Sequence, residues 1–124
     1  MLSMEEYHVS NLKQALADIT GDNIPAFFYI LDRDKEFADL FNNIINQTFP
    51  DSIVSIHHQS NSSMRRLWKE NTMVIVKYIS SSALSAAIEK GARVLLVIVS
   101  TNEEIILKEL TGQIANEKRI EIKN

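Results

Sequence analysis

Arg93-Val-Leu-Leu-Val-Ile-Val-Ser-Thr-Asn-Glu-Glu-Ile-Ile-Leu-Lys-Glu-Leu110 decides how this chain folds. Its first half, Arg93 to Val99, is nearly all branched aliphatic, the composition of a strand buried on both faces. It is therefore placed at the centre of a sheet. Thr101-Asn-Glu-Glu104 has the spacing of a capping box. The spacing predicts a helix from Thr101 to Ile114, with Ile106, Leu107, Leu110 and Ile114 on its buried side. Upstream, Leu84, Ala87 and Ile88 mark a short helix that Gly91 is placed to terminate. Downstream, Arg119-Ile-Glu-Ile-Lys123 alternates as a half-exposed edge strand does.

The same reading extends toward the N-terminus. Val9, Leu12, Leu16 and Ile19 share a helical face over residues 5–20, and Gly21-Asp-Asn23 supplies a stop. Ala26-Phe-Phe-Tyr-Ile-Leu31 is a short apolar run that predicts a buried strand. Phe37, Leu40, Phe41, Ile44 and Ile45 then line one face of a helix that Asp34 caps and Pro50 follows. Ser52-Ile-Val-Ser-Ile56 and Met73-Val-Ile-Val76 predict two more strands. Between them Met64, Leu67 and Trp68 indicate a short helix with a buried tryptophan under a solvated basic face. Strands alternating with helices call for right-handed crossovers and a parallel sheet covered on both sides. The expectation is one α/β domain over residues 1–124, a three-layer α/β/α sandwich.

Composition narrows the function. The 124 residues are 45% hydrophobic and 23% charged, with thirteen basic and sixteen acidic side chains and a formal net charge of -3. No basic excess exists to displace phosphate counterions, which argues against a general nucleic-acid binder. Without cysteine there is no disulfide, thiolate metal site or thiol nucleophile. No apolar run approaches the roughly 18 residues of a membrane span, and the first residues lack the basic and apolar regions of a signal peptide. A cytoplasmic protein without a membrane partner is expected. His57 and His58 are adjacent on a strand and so face opposite sides, which suits surface residues better than a shared metal. Ser80-Ser-Ser82 has no histidine at a spacing that would activate a hydroxyl, so it reads as a helix cap. No nucleophile with its base, no metal set and no cofactor fingerprint is visible, and the chain is read as non-enzymatic.

In an open parallel sheet, ligands meet the carboxyl ends of the strands. There the residues are Asp32-Arg33-Asp34, Lys77, Ser100-Thr101 and Lys123-Asn124. Phe28-Tyr-Ile-Leu-Asp-Arg-Asp-Lys-Glu-Phe-Ala-Asp-Leu-Phe41 resembles the opening of bacterial response-regulator receiver domains. Val97-Ile-Val-Ser-Thr101 is similar to the receiver's fourth strand with its hydroxyl residue, and Ile120-Glu-Ile-Lys-Asn124 to the fifth strand with its lysine. The resemblance spans residues 26–124. It implies a five-stranded parallel sheet of order 2-1-3-4-5, flavodoxin-like, with the receiver's final helix missing. The N-terminal helix is expected to fill that slot, setting Leu12, Leu16 and Ile19 against the first and fifth strands and covering the Phe27 and Ile120 side.

Receivers take a phosphoryl group on an aspartate ending the third strand, beside an acidic pair that holds Mg²⁺. Here Lys77 stands at the acceptor position and Arg33 at the second acid. Asp32, Arg33, Lys77, Ser100 and Lys123 therefore form a degenerate pocket, and the resemblance implies a pseudo-receiver without phosphotransfer, cofactor or metal. The expected function is a phosphorylation-independent protein-interaction module in signalling, regulation or assembly. Its expected docking face carries Glu104, Lys108, Arg119 and Glu121, and dimerisation through that face is one expected use. One alternative is a small-anion or nucleotide sensor, with the cations and Ser100 holding a phosphate. The other rests on Ala87-Ile-Glu-Lys-Gly-Ala-Arg-Val-Leu-Leu-Val-Ile-Val99, which is similar to the kink-turn RNA-binding ribosomal protein family. That likeness covers only the C-terminal half, and the acidic balance counts against it.

Overall fold

Four of the expected apolar runs pair in parallel and form one side of a six-stranded sheet, from one edge inward. A computed structural model of the chain describes residues 4–58, 62–100, 104–110 and 115–121. The elements in order are α1 (Met4–Thr20), β1 (Phe27–Leu31), α2 (Lys35–Thr48), β2 (Ile53–His57), α3 (Ser62–Arg65), β3 (Thr72–Val76), α4 (Ser81–Glu89), β4 (Arg93–Ser100), β5 (Glu104–Leu110) and β6 (Ala115–Glu121). The strand order is β2-β1-β3-β4-β5-β6. β2, β1, β3 and β4 are parallel, whereas β5 is antiparallel to β4 and β6 antiparallel to β5. The protein is thus α/β, but its sheet is mixed rather than the five-stranded parallel 2-1-3-4-5 arrangement.

The departure lies in the segment expected to be a helix. Residues 104–110 are a strand, and the capping-box residues 101–103 lie outside the described residues, as does Ile114. Register with β4 explains the choice. Ile105, Leu107 and Glu109 face one side of the sheet while Glu104, Ile106, Lys108 and Leu110 face the other, the period of two that a strand requires. Leu107 is fully buried and Glu109 is buried beside it. Glu109 can sit there because Arg93, at the start of β4, is its partner: Arg93 Nη2 lies 2.5 Å from Glu109 Oε1 and Nε lies 3.1 Å from Oε2. A buried charge with its counter-ion in bidentate contact is tolerated where a lone one is not.

Two apolar clusters fill the two sides of the sheet. One joins Leu12, Leu16 and Ile19 of α1 to Phe37, Phe41, Ile44 and Ile45 of α2, over Phe28, Ile30, Leu95, Leu107 and Ile120. The N-terminal helix therefore shares a side with α2, but it lies against α2, β6 and β5 of the meander and not beside a parallel fifth strand. Phe27, expected on the same side as Ile120, faces the opposite way and carries the Lys69 ammonium 4.8 Å above its ring. The second cluster holds Tyr29, Met64, Trp68, Val74, Val76, Ala83, Ala87 and Val94 under α3 and α4. Trp68 is buried as expected, whereas Leu67 is 59% exposed. The helix there ends at Arg65, so the helical spacing that would have brought Leu67 inward does not continue.

Element ends follow local chemistry. Asp34 caps α2 by accepting from the amides of Glu36 and Phe37 at 3.0 and 3.4 Å. Ser80 caps α4 by accepting from the amide of Ala83 at 3.2 Å. Gly91 follows α4 with φ of 76°, the left-handed conformation that a glycine takes without a Cβ clash. Among the described residues no helix is long and apolar enough to cross a membrane.

Candidate functional site

β1 and β3 lie side by side, yet the chain leaves β1 for β2 on one flank and reaches β3 on the other. This reversal opens a crevice at their carboxyl ends, the place where α/β sheets take ligands. The crevice has a volume of about 450 Å³ and is lined by Leu31, Asp32, Arg33, His58, Val76, Lys77, Tyr78, Ile79, Ser80 and Ala83. Asp32, Arg33 and Lys77 come together there. The side chain of Ser100 and all of Lys123 lie outside the described residues. β6 stands three strands from β3, a separation of roughly 14 Å at the usual strand spacing. The terminal strand is therefore one place farther from Lys77 than a fifth strand in the expected order.

Lys77 is held between two carboxylates. Its Nζ lies 3.6 Å from Asp32 Oδ2 and 3.2 Å from Asp34 Oδ2, and 4.6 Å from the centre of the Phe37 ring. The remaining oxygens are also engaged: Asp32 Oδ1 accepts the Asp34 amide at 2.8 Å, and Asp34 Oδ1 takes the two amides at the start of α2. The Lys77 hydrogen bond, and after it the Phe37 amide, holds the Asp34 carboxyl below its ordinary value, with desolvation opposing. The sequence marked Asp34 only as a helix cap. Its second oxygen faces Lys77 because the turn Asp32-Arg-Asp34 curls back toward the end of β3.

A pH dependence follows. A carboxylate whose pKa is lowered on folding stabilises the fold at pH above its unfolded value, and the benefit disappears as pH falls through the lower folded value. Acid titration below the ordinary carboxyl range should therefore unclamp Lys77 and loosen the start of α2. In Asp34→Asn, which keeps a capping oxygen but no charge, this part of the acid-induced stability loss should be missing from urea midpoints measured against pH.

The second candidate is a sheet face. Through the β4–β5–β6 register, Ile98, Glu104, Ile106, Lys108, Glu117 and Arg119 fall on one side, the side that α3 and α4 cover farther in. Of the four residues expected to form the docking face, Glu104, Lys108 and Arg119 are on it; the side chain of Glu121 is outside the described residues. Among the described residues no helix packs on this side of β5 and β6. Ile98 is 41% exposed and Ile106 is half-buried. Arg119 bridges Glu104 at 3.0 Å and Glu117 at 2.8 Å. The Glu104 hydrogen bond is the main cause of the raised pKa of Arg119, so this guanidinium stays charged. An apolar centre bordered by fixed charges of both signs is the usual composition of a protein contact.

Comparison of the chain with protein families, with curated proteins and with solved structures gives no match.

Proposed function

We propose that the chain is a non-catalytic protein-interaction module that uses the exposed side of β5 and β6 to dock an amphipathic helix of another protein. The observation that carries the proposal is that, among the described residues, no helix covers an apolar strip, Ile98 and Ile106, framed by Lys108, Glu104 and Arg119. An incoming helix would occupy the position over β5 and β6 that α3 and α4 occupy over the inner strands. Its apolar stripe would meet the two isoleucines while mixed charges on its flanks meet Arg119, Lys108 and the glutamates.

The crevice supports a role without phosphotransfer. Lys77 at the end of β3 offers an amine where an acyl phosphate needs a carboxylate. Asp32 and Asp34 already spend all four oxygens on Lys77 and main-chain amides. A hard cation would have to displace that set. The same geometry weighs against anion sensing, because the Lys77 charge is already neutralised. The receiver-like reading of residues 26–124 draws on the parallel order β2-β1-β3-β4, and the antiparallel β5 and β6 depart from it.

The test is quantitative recovery of binding partners from native extract with tagged protein. At least one protein should be recovered with the unaltered chain, and its yield should fall about tenfold or more with Ile98→Glu. Ile24→Glu, at a more exposed isoleucine elsewhere, should leave the yield unchanged. Circular dichroism would verify that both variants are folded. Equal recovery with all three proteins, or a phosphoryl adduct after incubation with acetyl phosphate and Mg²⁺, would refute the proposal.

A further inference from the structure

The opposite edge of the sheet has a different character. β2 is the outermost strand, and its pairing with β1 fixes which backbone groups point outward. Ile53 donates to Ala26 at 2.9 Å and His57 accepts from Asp32 at 2.9 Å. By alternation Ile53, Ser55 and His57 direct their N–H and C=O groups to β1, and Val54 and Ile56 direct theirs away from the sheet. Among the described residues nothing bonds to these outward groups. Ile53 is 58% exposed and Ile56 is 42% exposed. Natural edge strands are usually protected by charge, proline or a bulge. β6 has such protection in Glu117, Lys118, Arg119 and Glu121, whereas Ile53-Val-Ser-Ile-His57 contains no Asp, Glu, Lys, Arg or Pro.

We propose that two copies of the chain join through this edge, β2 against β2, antiparallel about a two-fold axis at Ser55. The register is self-complementary. Val54 falls opposite Ile56 of the second copy, so the two outward-facing residues of each strand exchange N–H···O=C bonds, four in all. On the α2 side these pairs set β-branched apolar side chains against each other, a favourable cross-strand combination. On the other side Ile53 meets His57 of the second copy and the two Ser55 residues face one another. No pairing opposes formal charges of like sign. On β6 the charges make self-pairing depend on register: centring the same symmetry on Lys118 or Arg119 sets a cation against itself. This match of the edge to its own copy selects the second copy as the occupant over an unrelated strand. The contact is at the far side of the sheet from β5 and β6, so it stands whatever becomes of the helix-docking proposal.

The chain has no cysteine, which allows a direct test. The two Ser55 residues would be a non-hydrogen-bonded pair with Cα atoms roughly 4.5 Å apart, within the range that a disulfide spans. Under mild oxidation Ser55→Cys should convert mainly to a covalent dimer, and Ser82→Cys, on an exposed turn of α4, should stay largely monomeric. Sedimentation equilibrium of the unaltered protein should show a dimer that Ile56→Lys weakens about tenfold or more. A monomer at all concentrations would overturn the proposal. So would a dimer indifferent to Ile56→Lys, or Ser55→Cys cross-linking no faster than Ser82→Cys.

Discussion

Arg93→Met is expected to destabilise the fold by about 3–5 kcal/mol, the usual cost of leaving a buried charge without its partner. For a chain of this size that corresponds to a fall in Tm of roughly 10–20 °C. The reason is the number of groups that one guanidinium serves. It pairs with Glu109, whose side chain is 3% exposed, and it also donates to the carbonyls of Ile19, Thr20 and Asn23. Those carbonyls lie at and just after the end of α1, where helices leave acceptors unpaired. Arg93 therefore fastens the end of α1 to β4 and β5 together. The double variant Arg93→Met/Glu109→Leu should recover most of the loss, because two apolar residues replace a pair whose burial was itself costly. Urea unfolding of the single and double variants measures both. A loss under about 1 kcal/mol for Arg93→Met would mean that Glu109 is hydrated and that the strand assignment of residues 104–110 is wrong.

Leu16→Ala is expected to cost about 2–5 kcal/mol, the range for a fully buried leucine whose cavity is only partly refilled. Leu16 is 0% exposed in the cluster with Phe28, Phe41 and Leu107. Gln14, two residues earlier, is exposed and donates to Asp18 within the same helix, so Gln14→Ala should stay within about 0.5 kcal/mol of the unaltered protein. The contrast distinguishes a helix that belongs to the core from one that merely lies on the surface. Similar midpoints for the two variants would remove α1 from the core.

The inner sheet was legible in the sequence because its strands are continuous apolar runs, and few structures other than a covered parallel sheet bury Phe28 to Leu31 or Val94 to Val97. The outer sheet was not. Ile105-Ile-Leu107 is apolar at every position, so neither period stands out. Glu109 is outside the buried set expected for that helix, yet it is buried against Arg93 sixteen positions earlier. With Glu109 paired to Arg93, Leu107 and Glu109 fall on one side and Ile106 and Lys108 on the other, the alternation of a strand.

The crevice residues Asp32 and Lys77 were accessible from the rule that strands offer their carboxyl ends. The Asp34 contribution depends on how tightly one turn bends, which no spacing reveals. Glu104, Lys108, Arg119 and Glu121 were expected together on a helix beside an edge strand. Glu104, Lys108 and Arg119 do share a face, but as neighbours across a β-meander, so their common orientation owes nothing to the expected helix.

The placement of α1 bears on how the protein is made. Leu16 is complete and outside the ribosome long before Leu107, its partner in the same cluster. At the usual pace of translation the delay is roughly 5–20 s. During that interval the oily stripe of the leading helix has no permanent seat, and a chaperone or a neighbouring nascent chain can compete for it.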